Sequence, residues 1–268
     1  MTPPRPATRS SRTWLRILAV GVGLGILVAL AAGTWYLFLR APAPAEVALG
    51  AEPTATAAAT AEPTETAEAE TPAATASAEA AGPAGLDGTW TVDGSIGSFD
   101  GFSGSFVGYR VQEELVGVGA ATAVGRTPDV TGSLSLEGAT ITVASFEADL
   151  TTLQSDSGMR DGQLGRQGLE TDTYPTASFV LAEPIELGSV LSEGETIQAT
   201  AVGDLTVHGV TQRVEIPLEA RLADGVVTVV GTLPIAFGDY GMTAPESMRV
   251  LSIDENGTME FQLHFTQA

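Results

Sequence analysis

Short runs of alternating apolar and polar residues recur from residue 88 to the end of the chain, separated by clusters of Gly, Pro, Asp and Ser. A period of two marks half-buried strands, whose successive side chains point to opposite faces. Between Ser105 and Glu113, Val107, Tyr109 and Val111 share one face, and Gly108, Arg110 and Gln112 share the other. Val214, Ile216, Leu218, Ala220 and Leu222 alternate with Arg213, Glu215, Pro217, Glu219 and Arg221. Met259, Phe261, Leu263 and Phe265 alternate in the same way with Glu260, Gln262, His264 and Thr266. The pattern predicts about eight to ten strands. Asp224-Gly225 and His208-Gly209 fall between such runs and read as two-residue hairpin turns, so consecutive strands form an antiparallel meander. Residues 155–169 show no alternation and read as a long loop with a helical turn. A sheet of this size either splits into two packed layers or closes. Closure removes exposed edges, and a ring of about eight strands has room inside for side chains or one small ligand.

The pattern changes upstream. Ile17–Leu39 is a 23-residue run without a charge, roughly 34 Å long as a helix and so sufficient for a hydrocarbon core of about 30 Å. Arg5, Arg9, Arg12 and Arg16 precede it and only Arg40 follows closely. That asymmetry places residues 1–16 in the cytoplasm and everything after the run outside. Trp14, Trp35 and Tyr36 stand where aromatic side chains settle at membrane interfaces. The rival reading is a cleaved signal peptide, with small residues at Ala31-Ala32-Gly33 and Ala41-Pro42-Ala43, but the run exceeds the usual apolar length of such peptides. Residues 40–85, rich in Ala, Thr, Pro and Glu, cannot bury enough surface to offset their conformational entropy and read as a disordered stalk. They are a solvated spacer or, given their Thr content, a glycosylated one. The expected organisation is a cytoplasmic stretch 1–16, a transmembrane helix 17–39, a stalk 40–85 and one domain, 86–268.

Charge and inventory narrow the chemistry. The chain carries a net −21. Residues 86–268 hold 26 Asp and Glu against seven Arg, a net −19 that repels phosphate backbones and anionic lipid surfaces and argues against nucleic acid as a partner. There is no cysteine, and the two histidines read as a turn residue, His208, and a surface residue, His264, rather than as zinc ligands. No Gly-x-Ser-x-Gly elbow leads into a helix and no phosphate-binding loop is present. No cofactor is called for, and no residue is assigned a catalytic role.

Four stretches nevertheless stand in a distinctive order: Thr89-Trp90-Thr91-Val92-Asp93, Met159-Arg160-Asp161-Gly162-Gln163-Leu164, Tyr174-Pro175-Thr176-Ala177-Ser178-Phe179, and Gly203 to Val214. Together they resemble the YceI-like family. The resemblance implies an exported bacterial, lipocalin-like antiparallel barrel whose apolar interior binds a long-chain polyisoprenoid or similar lipid without catalysis, for storage, shielding or transport. The anchor and stalk depart from relatives that are free secreted proteins, and the Gly-rich 94–104 stretch departs from the pattern at the barrel mouth. The alternating faces nominate Val107, Tyr109, Val111, Val214, Ile216, Leu218, Phe261, Leu263 and Phe265 as cavity lining; periodicity alone is equally satisfied by a filled core. Gly117, Gly119, Ala120 and Ala121 are small enough to leave room inside a barrel. Arg160 and Asp161 pair to pin the long loop, or Arg160 and Arg166 face a ligand head group. The competing function is a surface protein-interaction or stress-response module with a packed barrel and no lipid.

Overall fold

The computed structural model describes residues 43–49, 85–245, 247–248 and 250–268. The stretch 1–16, the span read at 17–39 and most of the stalk lie outside the described residues. Among those described, no helix is long and apolar enough to cross a membrane. Pro44–Ala268 forms one compact unit.

Thirteen strands are present among the described residues: β1 (Gly88–Val92), β2 (Phe106–Leu115), β3 (Gly119–Thr127), β4 (Val130–Glu137), β5 (Thr140–Asp149), β6 (Gln154–Ser155), β7 (Thr176–Leu181), β8 (Ile185–Glu186), β9 (Thr196–Val207), β10 (Val210–Ala223), β11 (Val226–Ala236), β12 (Val250–Ile253) and β13 (Asn256–Gln267). One short helix, α1 (Gly158–Gln163), runs into a wider turn at Leu164–Gly168 inside the loop read at 155–169. Eight strands close a ring in the order β1-β4-β5-β7-β9-β10-β11-β13, with β13 pairing back to β1. Every neighbouring pair in it is antiparallel. The larger strand count arises because β13 is long enough to branch. Its residues 265–267 pair with β1, while residues 258–262 on the same edge pair with β2, which carries β3 and β6 with it.

The turns follow their residues. His208-Gly209 and Asp224-Gly225 have φ of 52° and 72°, and 52° and 77°. Both positions are left-handed, as a type I′ hairpin requires, and β9–β10 and β10–β11 are accordingly tight pairs. The Gly-rich stretch between β1 and β2 folds back over the outside of the wall: His264 Nε2 lies 2.9 Å from the Ser103 carbonyl, and Gln262 donates to the Gly104 carbonyl at 3.0 Å. His264 is therefore buried rather than a surface residue, and its Nδ1 lies 2.9 Å from the Thr228 hydroxyl. Burial on the outer side of an alternating strand requires cover from another segment, which a period of two does not report.

Candidate functional site

Apolar side chains from all the longer ring strands converge on the barrel interior. Ile216 and Leu218 of β10, Val229 of β11, and Met259, Phe261, Leu263 and Phe265 of β13 face Val130 and Leu134 of β4, Ala144, Phe146 and Ala148 of β5, Ala177 and Phe179 of β7, and Ala201 and Leu205 of β9. They line a cavity of about 110 Å³, open on one side, whose exposed wall consists of apolar atoms only. The large rings lie along the wall rather than across it. A Cβ on Gly203 would come within 2.3 Å of the Phe179 ring, and one on Gly231 within 2.5 Å of the Phe261 ring, so each aromatic lies against a glycine of a neighbouring strand. Phe146 and Phe265 meet edge to face with centroids 5.7 Å apart. Small residues, Ala144, Ala148, Ala177 and Ala201, supply the remaining space.

Of the residues nominated from the pattern, Val107, Ile216, Leu218, Phe261, Leu263 and Phe265 line this cavity. Val214 packs on the core without reaching the cavity wall. Tyr109 and Val111 continue the row begun by Val107 but lie beyond the cavity, where Tyr109 packs over Gly125 and Leu153. Burial pushes the Tyr109 phenol well above its usual range, helped by the charges of Asp161 and Glu113, with Arg160 opposing; its hydroxyl has no hydrogen-bond partner. Gly117, Gly119, Ala120 and Ala121 sit at or beside the tip of the β2–β3 hairpin and leave no room in the lumen.

The lining from β5 was missed because its alternation is interrupted. Ile141 and then Ala144, Phe146 and Ala148 face inward, an odd step produced by the irregularity opposite Ser135 and Leu136. The break itself, an apolar series slipping by one within a strand, is the signal that could have found it.

Arg160 and Asp161 both tie down α1, through separate partners. Ser157 caps the helix, Arg160 pairs with Glu113 of β2 at 2.6 Å and with Asp156, and Asp161 accepts from the Ser155 hydroxyl. Burial works to lower the Arg160 pKa, but its hydrogen bond to Asp156 and the nearby carboxylate charges outweigh this and raise it. Arg166 is exposed, its guanidinium beside Gly162. Two of the distinctive stretches meet at one turn: the Tyr174 and His208 rings lie 4.4 Å apart, and a Cβ on Gly209 would come within 2.6 Å of the Tyr174 ring. His208 faces the Tyr240 carbonyl at 3.1 Å through Nδ1, and its buried Nε2 lies 3.6 Å from the Glu170 carboxylate, an electrostatic approach too long for a hydrogen bond. Among the described residues, no group of three or more His, Cys, Asp or Glu is placed to hold a metal ion.

A family model described as a YceI-like domain matches residues 90–265. Among solved structures, the chain is similar to a polyisoprenoid-binding domain from Saccharophagus degradans implicated in plant cell wall breakdown, with 21% identity over 67% of this chain and 98% of that one and a TM-score of 0.51. It is also similar to Burkholderia cenocepacia BcnA, with 17% identity over 59% of this chain and 95% of that one and a TM-score of 0.46. A third, the Campylobacter jejuni YCEI protein, has 12% identity over 52% of this chain and 82% of that one, with a TM-score of 0.43. No curated protein matches the chain.

Proposed function

Because the chain belongs to the YceI-like domain family, we propose that its barrel binds a long-chain polyisoprenoid or similar apolar lipid in the interior cavity, without catalysing a reaction on it, at the outer face of a bacterial membrane. The observation that carries this reading is the cavity inside the eight-stranded ring, whose exposed lining atoms are all apolar. Such a surface offers no hydrogen bond to a polar guest, whereas each buried methylene of an isoprenoid chain contributes about 0.8 kcal/mol. The polyisoprenoid binding ascribed to the Saccharophagus degradans domain supports the choice of ligand class.

The cavity, about 110 Å³, is comparable with an engineered apolar cavity of about 150 Å³ that takes up benzene. A longer chain enters by displacing side chains along the lumen. Met259, at one end of the β13 row, is suited to yielding because an unbranched thioether repacks at low cost. The location rests on the uncharged run Ile17–Leu39 and the arginines before it, and it suits a role in storing, shielding or passing on a membrane lipid.

The test is to purify the full chain from a bacterial host, extract it with organic solvent and identify the released lipids by mass spectrometry. One isoprenoid chain per barrel, retained through washing and exchangeable for a supplied isoprenoid quinone, is the expected outcome. Protein free of lipid from every host, and unable to take up the quinone, refutes the proposal.

A further inference from the structure

Glu260 points away from the lumen, on the outer side of β13, and is fully buried. It accepts from Arg126 at 2.9 and 2.6 Å through Nε and Nη2, and from Arg110 at 3.3 Å through both of the same atoms. Gly108 makes the cluster possible. It stands between Glu260 and Arg126 in the register, and a Cβ there would come within 2.7 Å of the Arg126 side chain. The Arg126 guanidinium is further covered by the rings of Phe106 and Phe102, with centroids 4.2 and 4.9 Å away.

Two guanidinium groups against one carboxylate leave a positive charge in excess at a site where the Arg126 and Arg110 side chains are only 3% and 11% exposed. Buried N–H donors of this kind require acceptors. The Pro44 carbonyl receives Arg110 Nη2 at 2.8 Å, and the Ala45 carbonyl receives Arg126 Nη2 at 3.1 Å. Pro44, Val47 and Leu49 are half-buried, whereas Ala43, Ala45, Glu46 and Ala48 are exposed. The local sequence suits the task. Prolines at 42 and 44 favour an extended backbone, whose carbonyls have no partner within the segment, and the small Ala45 permits a close approach.

We infer that residues 44–49, on composition part of the spacer, are a strap docked on the outer wall of the barrel, with the Arg110–Glu260–Arg126 cluster as its receptor. The strap lies outside residues 90–265 that match the family model, so it is an element this chain adds to the family fold. It lies against the outer face where β2 runs between β3 and residues 258–260 of β13. With the strap docked, residues 50–84 connect two points on the same compact unit. The barrel's tether to the residues before 44 is then the strap, and the length of the Ala/Thr/Pro/Glu segment does not set its reach. This holds whatever the lumen binds.

The chain lacks cysteine, so spin labels on Ala48→Cys and Ala120→Cys report the distance from strap to β3 by pulsed electron paramagnetic resonance, in the full chain reconstituted in lipid nanodiscs. A docked strap gives one narrow distance. A strap joined only through flexible chain to Gly85 spreads over about 33 Å. Val47→Ser combined with Leu49→Ser truncates the two half-buried apolar side chains of the strap without adding charge or altering the barrel, and is expected to broaden the narrow peak to that spread. Equal widths in the unmodified strap and this variant, whether broad or narrow, overturn the inference.

Discussion

Replacing Ala201 and Ala144 by leucine, singly and together, separates a hollow barrel from a filled one. Both alanines are almost wholly buried and both face the cavity. Each substitution adds three carbons to the lumen and displaces about as many ligand carbons. At about 0.8 kcal/mol per methylene the loss is roughly 2.4 kcal/mol, or about 50-fold in affinity for each site. The double variant weakens binding further, by less than the product of the two, because both side chains enter one cavity. Stability moves the other way. Leucine filling empty apolar space is neutral or adds about 0.5–2 kcal/mol, whereas the same residue forced into a packed core costs about 1–3 kcal/mol.

Trp90 provides the binding signal. It is the single tryptophan of the barrel unit and belongs to its buried core, so an isoprenoid quinone taken into the lumen quenches its fluorescence. A titration of residues 43–268 yields the affinity, and circular dichroism on the same samples yields the unfolding midpoint. For a unit of this size 1 kcal/mol corresponds to about 2–4 °C. Leucine variants that melt more than about 4 °C lower, with quinone affinity unchanged, would show that the lumen is a packed core and the reasoning wrong.

Two further outcomes follow from buried polar groups. Glu260→Gln leaves the Arg110 and Arg126 cations without their counter-charge. It is expected to cost about 3–5 kcal/mol, a fall of roughly 6–20 °C in thermal unfolding, while quinone binding to the still-folded variant is unchanged because Glu260 faces away from the cavity; a shift under 3 °C refutes the account. Tyr109 has a phenol raised by burial, so its contribution to stability is fully present below its unfolded pKa of about 10 and is lost as pH rises through the folded value. Tyr109→Phe removes both that titration and an unpartnered hydroxyl. The variant is expected to melt no lower than the parent near neutrality and to lose less stability between pH 8 and 11; an alkaline loss equal to the parent's assigns that titration to other groups.

Much of the ring is legible in the residues because a half-buried strand has to alternate. Ile216 and Leu218, and the β13 row from Met259 to Phe265, are read inward and lie inward. The hairpins at 208–209 and 224–225 are legible because a positive φ favours so few residue types. Three features resist. The β5 lining is hidden by a one-residue irregularity that shifts its phase. The branch at β13 depends on two strands sharing one edge, which no local pattern encodes. The burial of Glu260 and His264 depends on covering segments distant in the chain: the 94–104 stretch for His264, and residues 44–49 for the cluster around Glu260. A composition-based reading sees the second of these only as spacer. Emptiness of the lumen is also invisible, since hollow and filled barrels require the same alternation.

Both buried layers of this wall stabilise the fold, the inner one by less than a filled interior would. A cavity of about 110 Å³, at about 24 cal/mol per Å³, costs roughly 2.6 kcal/mol relative to a filled interior. The outer layer offsets that cost. Phe106 and Val230 are almost wholly buried yet do not belong to the barrel core, and each fully buried apolar side chain contributes about 1.5–3 kcal/mol. Burial on the outside adds to that of the interior core and compensates for the part of the lumen left unfilled. A lipid that enters the lumen restores the missing contacts and stabilises the folded chain further as its concentration rises above its dissociation constant. A barrel that depended on its lumen for stability would have to fill it with its own side chains, leaving no space for a guest. The covered outer wall, with its glycine at 108 and its arginine-bound carboxylate, is therefore part of what allows this fold to keep an unfilled apolar lumen.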